Sequence, residues 1–178
     1  PDAPASTQAR ALQALDLGTG SGAIALAIAQ ERCDVDIHAC DISAECLAVA
    51  EVNSRALGLP ISLRLSDWFE RIDQRFHVIV ANPPYIDSAD PHLSQLQAEP
   101  RAALVAQNHG LADLQAIIER APAHLHRDGW LLLEQGYDQG MATRELLTNR
   151  GFEQVGTRRD LGGNERVSWG QLPVHEAD

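Results

Sequence analysis

Asp16-Leu17-Gly18-Thr19-Gly20-Ser21-Gly22, set between the apolar run LQALDL (12–17) and the Ala-rich AIALAIAQ (23–30), is the stretch that decides the fold. Its glycines let the backbone turn tightly and approach a ligand closely, and the helix that opens behind them offers unpaired N–H groups to a carboxylate or phosphate. Strand, glycine-rich turn and helix in that order are the opening unit of a nucleotide-binding α/β sheet. The spacing leaves the cofactor open, because Gly18, Gly20 and Ala23 also satisfy the dinucleotide pattern G-x-G-x-x-G/A.

Outward from this turn, short β-like runs alternate with helical ones. Strands are predicted at 35–40, 61–65 (ISLRL) and 76–81 (FHVIVA), rich in β-branched residues. A helix is predicted from the cap Ser43 to about Leu57, stopped by Gly58-Leu59-Pro60. Residues 82–109 carry four of the nine prolines and read as a long irregular segment, which in a compact domain is usually functional. A helix over 111–125, a strand over 130–134 and a helix over 139–150 follow. The end differs: 152–157 and 166–169 read as two strands joined at Leu161-Gly162-Gly163-Asn164, an antiparallel hairpin closing the sheet.

Polar residues cluster where these strands end. Asp41 terminates the second, where an acid can hydrogen-bond a ribose diol, a position that serves NAD and S-adenosylmethionine equally. Asp67-Trp68-Phe69 follows the third, so an acid there can take an adenine amino group while an aromatic borders the ring; taken alone, Trp68 and Phe69 are core residues more often than cofactor contacts. Asn82-Pro83-Pro84-Tyr85 follows the fourth. Pro83 restrains Asn82 to an extended conformation, Pro84 has no N–H, and the Pro83 carbonyl stays free beside the Asn82 side-chain oxygen. Two acceptors in fixed relation suit a planar –NH2, as on a glutamine amide or adenine N6, and Tyr85 offers a stacking face. Such a nitrogen is a feeble nucleophile, so catalysis rests on positioning it in line with an activated methyl group.

Composition narrows the partners. Of 178 residues 44% are hydrophobic, and 14 basic against 25 acidic residues give a formal charge of −11, with no Lys at all. That balance disfavours a phosphate backbone as a partner. No apolar run is long enough to span a bilayer and no secretory signal is visible, so a cytoplasmic protein that avoids membranes is expected. Cys33, Cys40 and Cys46 read as free thiols of a reducing cytosol. The scattered histidines argue against a metal site, with His124 and His126 read as solvated residues facing different ways on a helix. The chain opens Pro1-Asp2-Ala3-Pro4 and its one methionine is Met141, so it is expected to be an excised piece of a longer product, and a monomer.

DLGTGSG, Asp41 and NPPY together resemble the class I S-adenosylmethionine-dependent methyltransferases. The finer match is to bacterial protein-(glutamine-N5) methyltransferases of the HemK/PrmC type, which modify the GGQ glutamine of peptide chain release factors. SDWF (66–69), NPPYID…DPHL (82–93), EPRAALVA…GLAD (99–113), LLLEQGYDQG (131–140) and RDLGGNERV (159–167) carry it. The resemblance implies a three-layer Rossmann-like α/β fold with a mostly parallel seven-stranded sheet of order 3-2-1-4-5-7-6, ending in an antiparallel hairpin. It implies S-adenosyl-L-methionine as cofactor, leaving as S-adenosyl-L-homocysteine, and release factors as partners.

By the same resemblance, Asp16, Gly18, Thr19, Gly20, Ser21, Gly22, Asp41 and Ile42 hold the methionine and ribose parts of the cofactor. Asp67, Trp68 and Phe69 sit toward adenine, and Asn82 borders the cofactor. Asn82, Pro83, Pro84 and Tyr85 bind the substrate amide, with Asn82, Pro83 and Tyr85 in the catalytic roles. The methyltransferase domain is expected over 11–172, with an N-terminal remnant at 1–10 and a tail at 173–178. The family's N-terminal helical substrate-recognition domain and its arginine-proline-acid segment are not recognisable in the sequence, and LSQLQAEP (93–100) is shorter than the usual family loop. Rival readings are an N6-adenine methyltransferase on DNA or RNA, a ribosomal-protein glutamine methyltransferase, a NAD-dependent oxidoreductase that leaves NPPY unexplained, and a non-catalytic cofactor-binding fragment.

Overall fold

The computed structural model describes residues 12–84, 86–87, 105–106 and 111–174. Tyr85, most of the proline-rich segment, the N-terminal remnant and the end of the tail lie outside the described residues. The elements run β1 (Leu12–Leu17), α1 (Ala23–Glu31), β2 (Val35–Asp41), α2 (Ala44–Leu57), β3 (Ser62–Leu65), β4 (Phe76–Ala81), α3 (Ala112–His124), β5 (Leu125–Glu134), α4 (Gly140–Asn149), β6 (Glu153–Arg159) and β7 (Glu165–Gln171). In these labels the sheet order is 3-2-1-4-5-7-6, as expected. Neighbouring strands pair in parallel except β7, which runs antiparallel to both β5 and β6.

Strand periodicity divides the apolar side chains between two faces of the sheet. Leu15, Leu17, Ile79, Ala81, Leu131 and Leu133 pack with Leu114, Ile117, Ile118 and Ala121 of α3 and Leu147 of α4. Ala14, Ile37 and Ala39 pack with Ala25 of α1. Burial on both faces is why apolar residues occupy successive positions at Ala14 and Leu15 of β1. The cap of α2 is as expected: the Ser43 Oγ accepts the Cys46 N–H at 3.2 Å, and Gly58 closes the helix. Among the described residues no helix is long and apolar enough to cross a membrane.

The structure departs from the sequence reading at the α3–β5 junction. The helix ends at His124, and β5 starts at Leu125, five positions before the predicted strand. Register shifts between Phe76 and Val78, which pair with Leu125 and Trp130, so residues 126–129 bulge out of the ladder with Asp128 at φ 65°. A bulge of polar residues hides the strand's beginning from any period-2 reading. His124 and His126 therefore do not share a helix, and both are half-buried. The His124 ring stacks on Phe69 at 4.4 Å, the His126 ring lies 4.4 Å from that of His77, and burial lowers the His124 pKa. A two-residue parallel ladder also pairs Ile86–Asp87 with Val105–Ala106, within the segment read as irregular.

Five parallel strands bring their C-terminal ends to one edge. Arg64, Cys40, Leu17, Ala81 and Leu133 form a row across the sheet. Leu65, Asp41, Gly18, Asn82 and Glu134 follow by one residue each. That rim is where an open α/β sheet binds its ligand.

Candidate active site

At the centre of the rim Asp16 is 2% exposed. Its Oδ2 accepts the Thr19 hydroxyl at 2.6 Å and the Ala25 N–H at 3.2 Å, which ties β1 to the first turn of α1. Its Oδ1 is buried with no partner. Burial pushes the carboxyl up to about 6, opposed by the two hydrogen bonds and assisted by nearby Asp41. Gly18, Gly20 and Gly22 have φ values of 68°, 56° and 84°, left-handed conformations that cost a side chain energy. A Cβ on Gly22 would lie 3.2 Å from both Ala50 and Leu26, whereas one on Gly20 would meet nothing within 4 Å. The first therefore serves helix packing and the second leaves an open cradle. The α1 N-terminus has no side-chain cap and no acid in its first turn, so its N–H groups and positive dipole end suit an anion.

Asp41, 8% exposed, accepts the Gly20 N–H at 2.9 Å through Oδ2 and the Ser43 N–H at 2.8 Å through Oδ1. Each carboxylate oxygen keeps a lone pair for a hydroxyl. Ile42, next in the chain, is 69% exposed on the same rim. Cys40, beneath them, is fully buried; burial pushes its thiol up to about 12, against a hydrogen bond from the Gly18 backbone, so it is a neutral connector.

Beyond β3 the chain turns through Ser66, Asp67 and Trp68. Trp68 holds φ 42°, and its carbonyl accepts the Ser66 hydroxyl at 2.9 Å and the Cys40 thiol at 3.5 Å. The far edge of its indole, Cζ3, lies 3.2 Å from where a Gly18 Cβ would stand. A ring this close to Gly18 forms a wall of the cradle. Asp67 beside it is exposed. Phe69 is carried away from the rim: it is 2% exposed in the main core, stacked on His124 with Arg120 5.8 Å over its ring.

Asn82 enters through register. Leu17 and Ala81 are paired, so Gly18 and Asn82 leave adjacent strands at one level, roughly 5 Å apart. Asn82 is exposed, Pro83 buried and Pro84 half-buried. Anchoring the prolines beneath an exposed Asn suits a fixed pair of acceptors facing outward.

The sequence reading missed Asp113, in the first turn of α3. Burial raises its pKa, assisted by nearby Asp67 and opposed by the Trp68 side chain. Its signal was present in the GLAD stretch, but only the fold brings it to Trp68. Gln135, also unremarked, is fully buried just past β5 with neither side-chain polar atom partnered.

Residues 5–108 match the family model of the methyltransferase small domain. The chain belongs to that family. The chain is 53% identical over 161 residues to a Pseudomonas aeruginosa protein named release factor glutamine methyltransferase, covering 88% of this chain and 58% of the relative. It is 47% identical over 161 residues to a protein of the same name from Escherichia coli strain K12, with 88% and 58% coverage. The chain thus spans 58% of the length of these relatives. Its fold is shared with a T. thermophilus 16S rRNA N2 G1207 methyltransferase solved with AdoMet and guanosine, at TM-score 0.64 and 22% identity, covering 90% of this chain and 37% of that one.

Proposed function

We propose that this domain transfers a methyl group from S-adenosyl-L-methionine to the side-chain amide nitrogen of the glutamine in the GGQ loop of peptide chain release factors. The observation that carries the reading is the pairing of Leu17 with Ala81, which sets an exposed Asn82 beside the glycine cradle. Relatives named release factor glutamine methyltransferase support the choice of substrate.

The residues present fit the cofactor. The unpartnered Asp16 Oδ1 suits an ammonium group, and the uncapped α1 terminus suits the carboxylate beside it. Asp41 would take the ribose hydroxyls, with Ile42 alongside, and Asp67 and Trp68 would border adenine. Gly18, Thr19, Gly20, Ser21 and Gly22 shape the floor. When bound, the cofactor supplies a sulfonium-activated methyl group.

The protein's own part is placement. The Asn82 side-chain oxygen and the Pro83 carbonyl would accept the two N–H bonds of the glutamine amide, fixing its plane and turning the nitrogen lone pair toward the cradle. Pro84 brings no competing N–H, and Tyr85 is expected to pack on the amide. The amide nitrogen so held would receive that methyl group and give up one of its two protons. The amide proton passes to water, so no strong protein base is required. Positioning of this kind is worth several powers of ten in rate. Asn82→Ala is accordingly expected to bind S-adenosylhomocysteine within about threefold of wild type while losing about a hundredfold or more in transfer. Binding by calorimetry and turnover with labelled cofactor check both halves. Wild-type turnover in the variant would refute the assigned role.

A further inference from the structure

Isolated apolar side chains on a protein surface need no explanation, but Tyr137, Met141 and Leu161 stand together at one corner of the rim. Tyr137 is 68% exposed, Met141 67%, and Leu161 fully exposed. Tyr137 lies in the turn after β5, Met141 in the first turn of α4, and Leu161 at the tip that joins β6 to β7. Because β7 runs antiparallel to β5 and pairs Val167 with Glu134, that tip emerges at the edge where β1, β4 and β5 end. Arg166 ties the two turns to each other: it donates to the Gln135 carbonyl at 3.3 Å and to Asp160 Oδ2 at 3.4 Å. Glu165 Oε2 accepts from Arg144 of α4 at 2.8 Å and leaves no room for a Cβ on Gly140. Each turn is also closed on itself. The Gly136 N–H donates to Gln139 Oε1 at 2.9 Å and the Gln139 N–H to the Gly136 carbonyl at 3.0 Å. Asp160 Oδ1 accepts the Asn164 N–H at 2.9 Å, and its carbonyl accepts the Gly163 N–H at 3.0 Å.

We propose that Tyr137, Met141 and Leu161 form the surface on which a release factor docks while its GGQ loop reaches Asn82. The proposal rests on the function proposed above and adds where the body of the partner lies. Strand order supplies the direction of approach. Asp41, Gly18, Asn82 and Glu134 follow one another across the rim, and Val167 lies beyond Glu134. The cofactor would occupy the half from Asp41 to Gly18. A protein loop that delivers a side chain to Asn82 therefore has its flanks over the other half, where the three apolar side chains stand. An aromatic ring and a thioether are groups that protein interfaces favour, and an unbranched Met adapts to the surface laid on it. Turns closed by their own hydrogen bonds present these side chains in fixed places, so little ordering is needed on binding.

The test uses the 178-residue chain with S-adenosylmethionine and an intact release factor. The triple variant Tyr137→Ser/Met141→Gln/Leu161→Ser is expected to raise KM for the release factor about tenfold or more. Its kcat at saturation and its affinity for S-adenosylhomocysteine are expected to stay within about twofold of wild type. Val49→Ser/Val52→Ser removes apolar surface that is exposed on α2 and is expected to leave KM unchanged. Wild-type KM in the triple variant, or an equal rise in the α2 variant, would overturn the docking surface and leave the proposed function standing. A second readout needs no variant. Met141 is the only methionine of the chain, so methyl-labelled methionine gives a single resonance. That resonance is expected to shift or broaden when release factor is added to the chain loaded with S-adenosylhomocysteine. A signal unmoved at saturating release factor overturns the proposal whatever the variants do. A wild-type chain that neither binds nor methylates the release factor overturns the proposed function, and the inference with it.

Discussion

Asp16 has one oxygen saturated by Thr19 and the α1 backbone and the other buried without a partner. Because its pKa is raised from 3.8 to about 6 by burial, the folded chain binds a proton more tightly than the unfolded one. Stability from this group is therefore greatest below pH 3.8 and declines until about pH 6, by about 3 kcal/mol. Asp16→Asn removes that penalty. At pH 7 the ligand-free variant is expected to be more stable than wild type by about 1–3 kcal/mol in urea unfolding, with the gain vanishing near pH 4. The same change is expected to weaken S-adenosylhomocysteine binding at least tenfold, because an amide would replace the carboxylate proposed to face the cofactor's ammonium. In the wild type, affinity is expected to fall as pH drops through about 6, as calorimetry across that range would record. A variant with unchanged affinity would remove Asp16 from the cofactor site. Asp16, Asp41 and Asn82 were legible in the sequence because each marks the end of a recognisable strand, the two acids within its last residues and Asn82 just past it. Asp113 was not, since only the docking of α3 brings it near Trp68 and Asp67.

Within elements, the glycine turn separates folding from binding. Gly22→Ala forces φ 84° on a residue whose Cβ meets Ala50 and Leu26 at 3.2 Å, so packing of α1 on α2 is expected to suffer. A loss of about 2–3 kcal/mol in urea unfolding is expected. Gly20→Ala meets open space, so about 1 kcal/mol of backbone strain is the expected cost, but the new methyl projects into the cradle. Its expected signature is loss of cofactor binding with stability almost intact. Equal effects of the two on stability would contradict this division. Strands rich in apolar residues and bounded by turn signals, β1 and β4, were legible to the residue. The start of β5 was not, because residues 126–129 leave the ladder in a bulge and carry no period. Phe69 shows the converse limit: SDWF marks the turn, but one step along the chain separates the cradle wall from the core.

For the molecule as a whole, the alternating elements and a terminal pair of strands without an intervening helix were legible in the sequence, whereas the strand order came from the family resemblance, which the terminal pair supports. Which side chains of the rim meet was not legible, since that depends on register. The charge of −11, with Arg as the only fixed side-chain cation, predicts no retained binding to a nucleic-acid duplex at about 150 mM salt in a gel-shift assay. It also bears on the acceptor, since Asn82 beside the cradle suits an adenine amino group as well as an amide. The deciding measurement incubates the chain with methyl-labelled S-adenosylmethionine, a release factor and a DNA or RNA duplex together, and maps the label by mass spectrometry. Label on the GGQ glutamine side chain, absent with Asn82→Ala, is the expected result. Label on the nucleic acid with none on the release factor would contradict it.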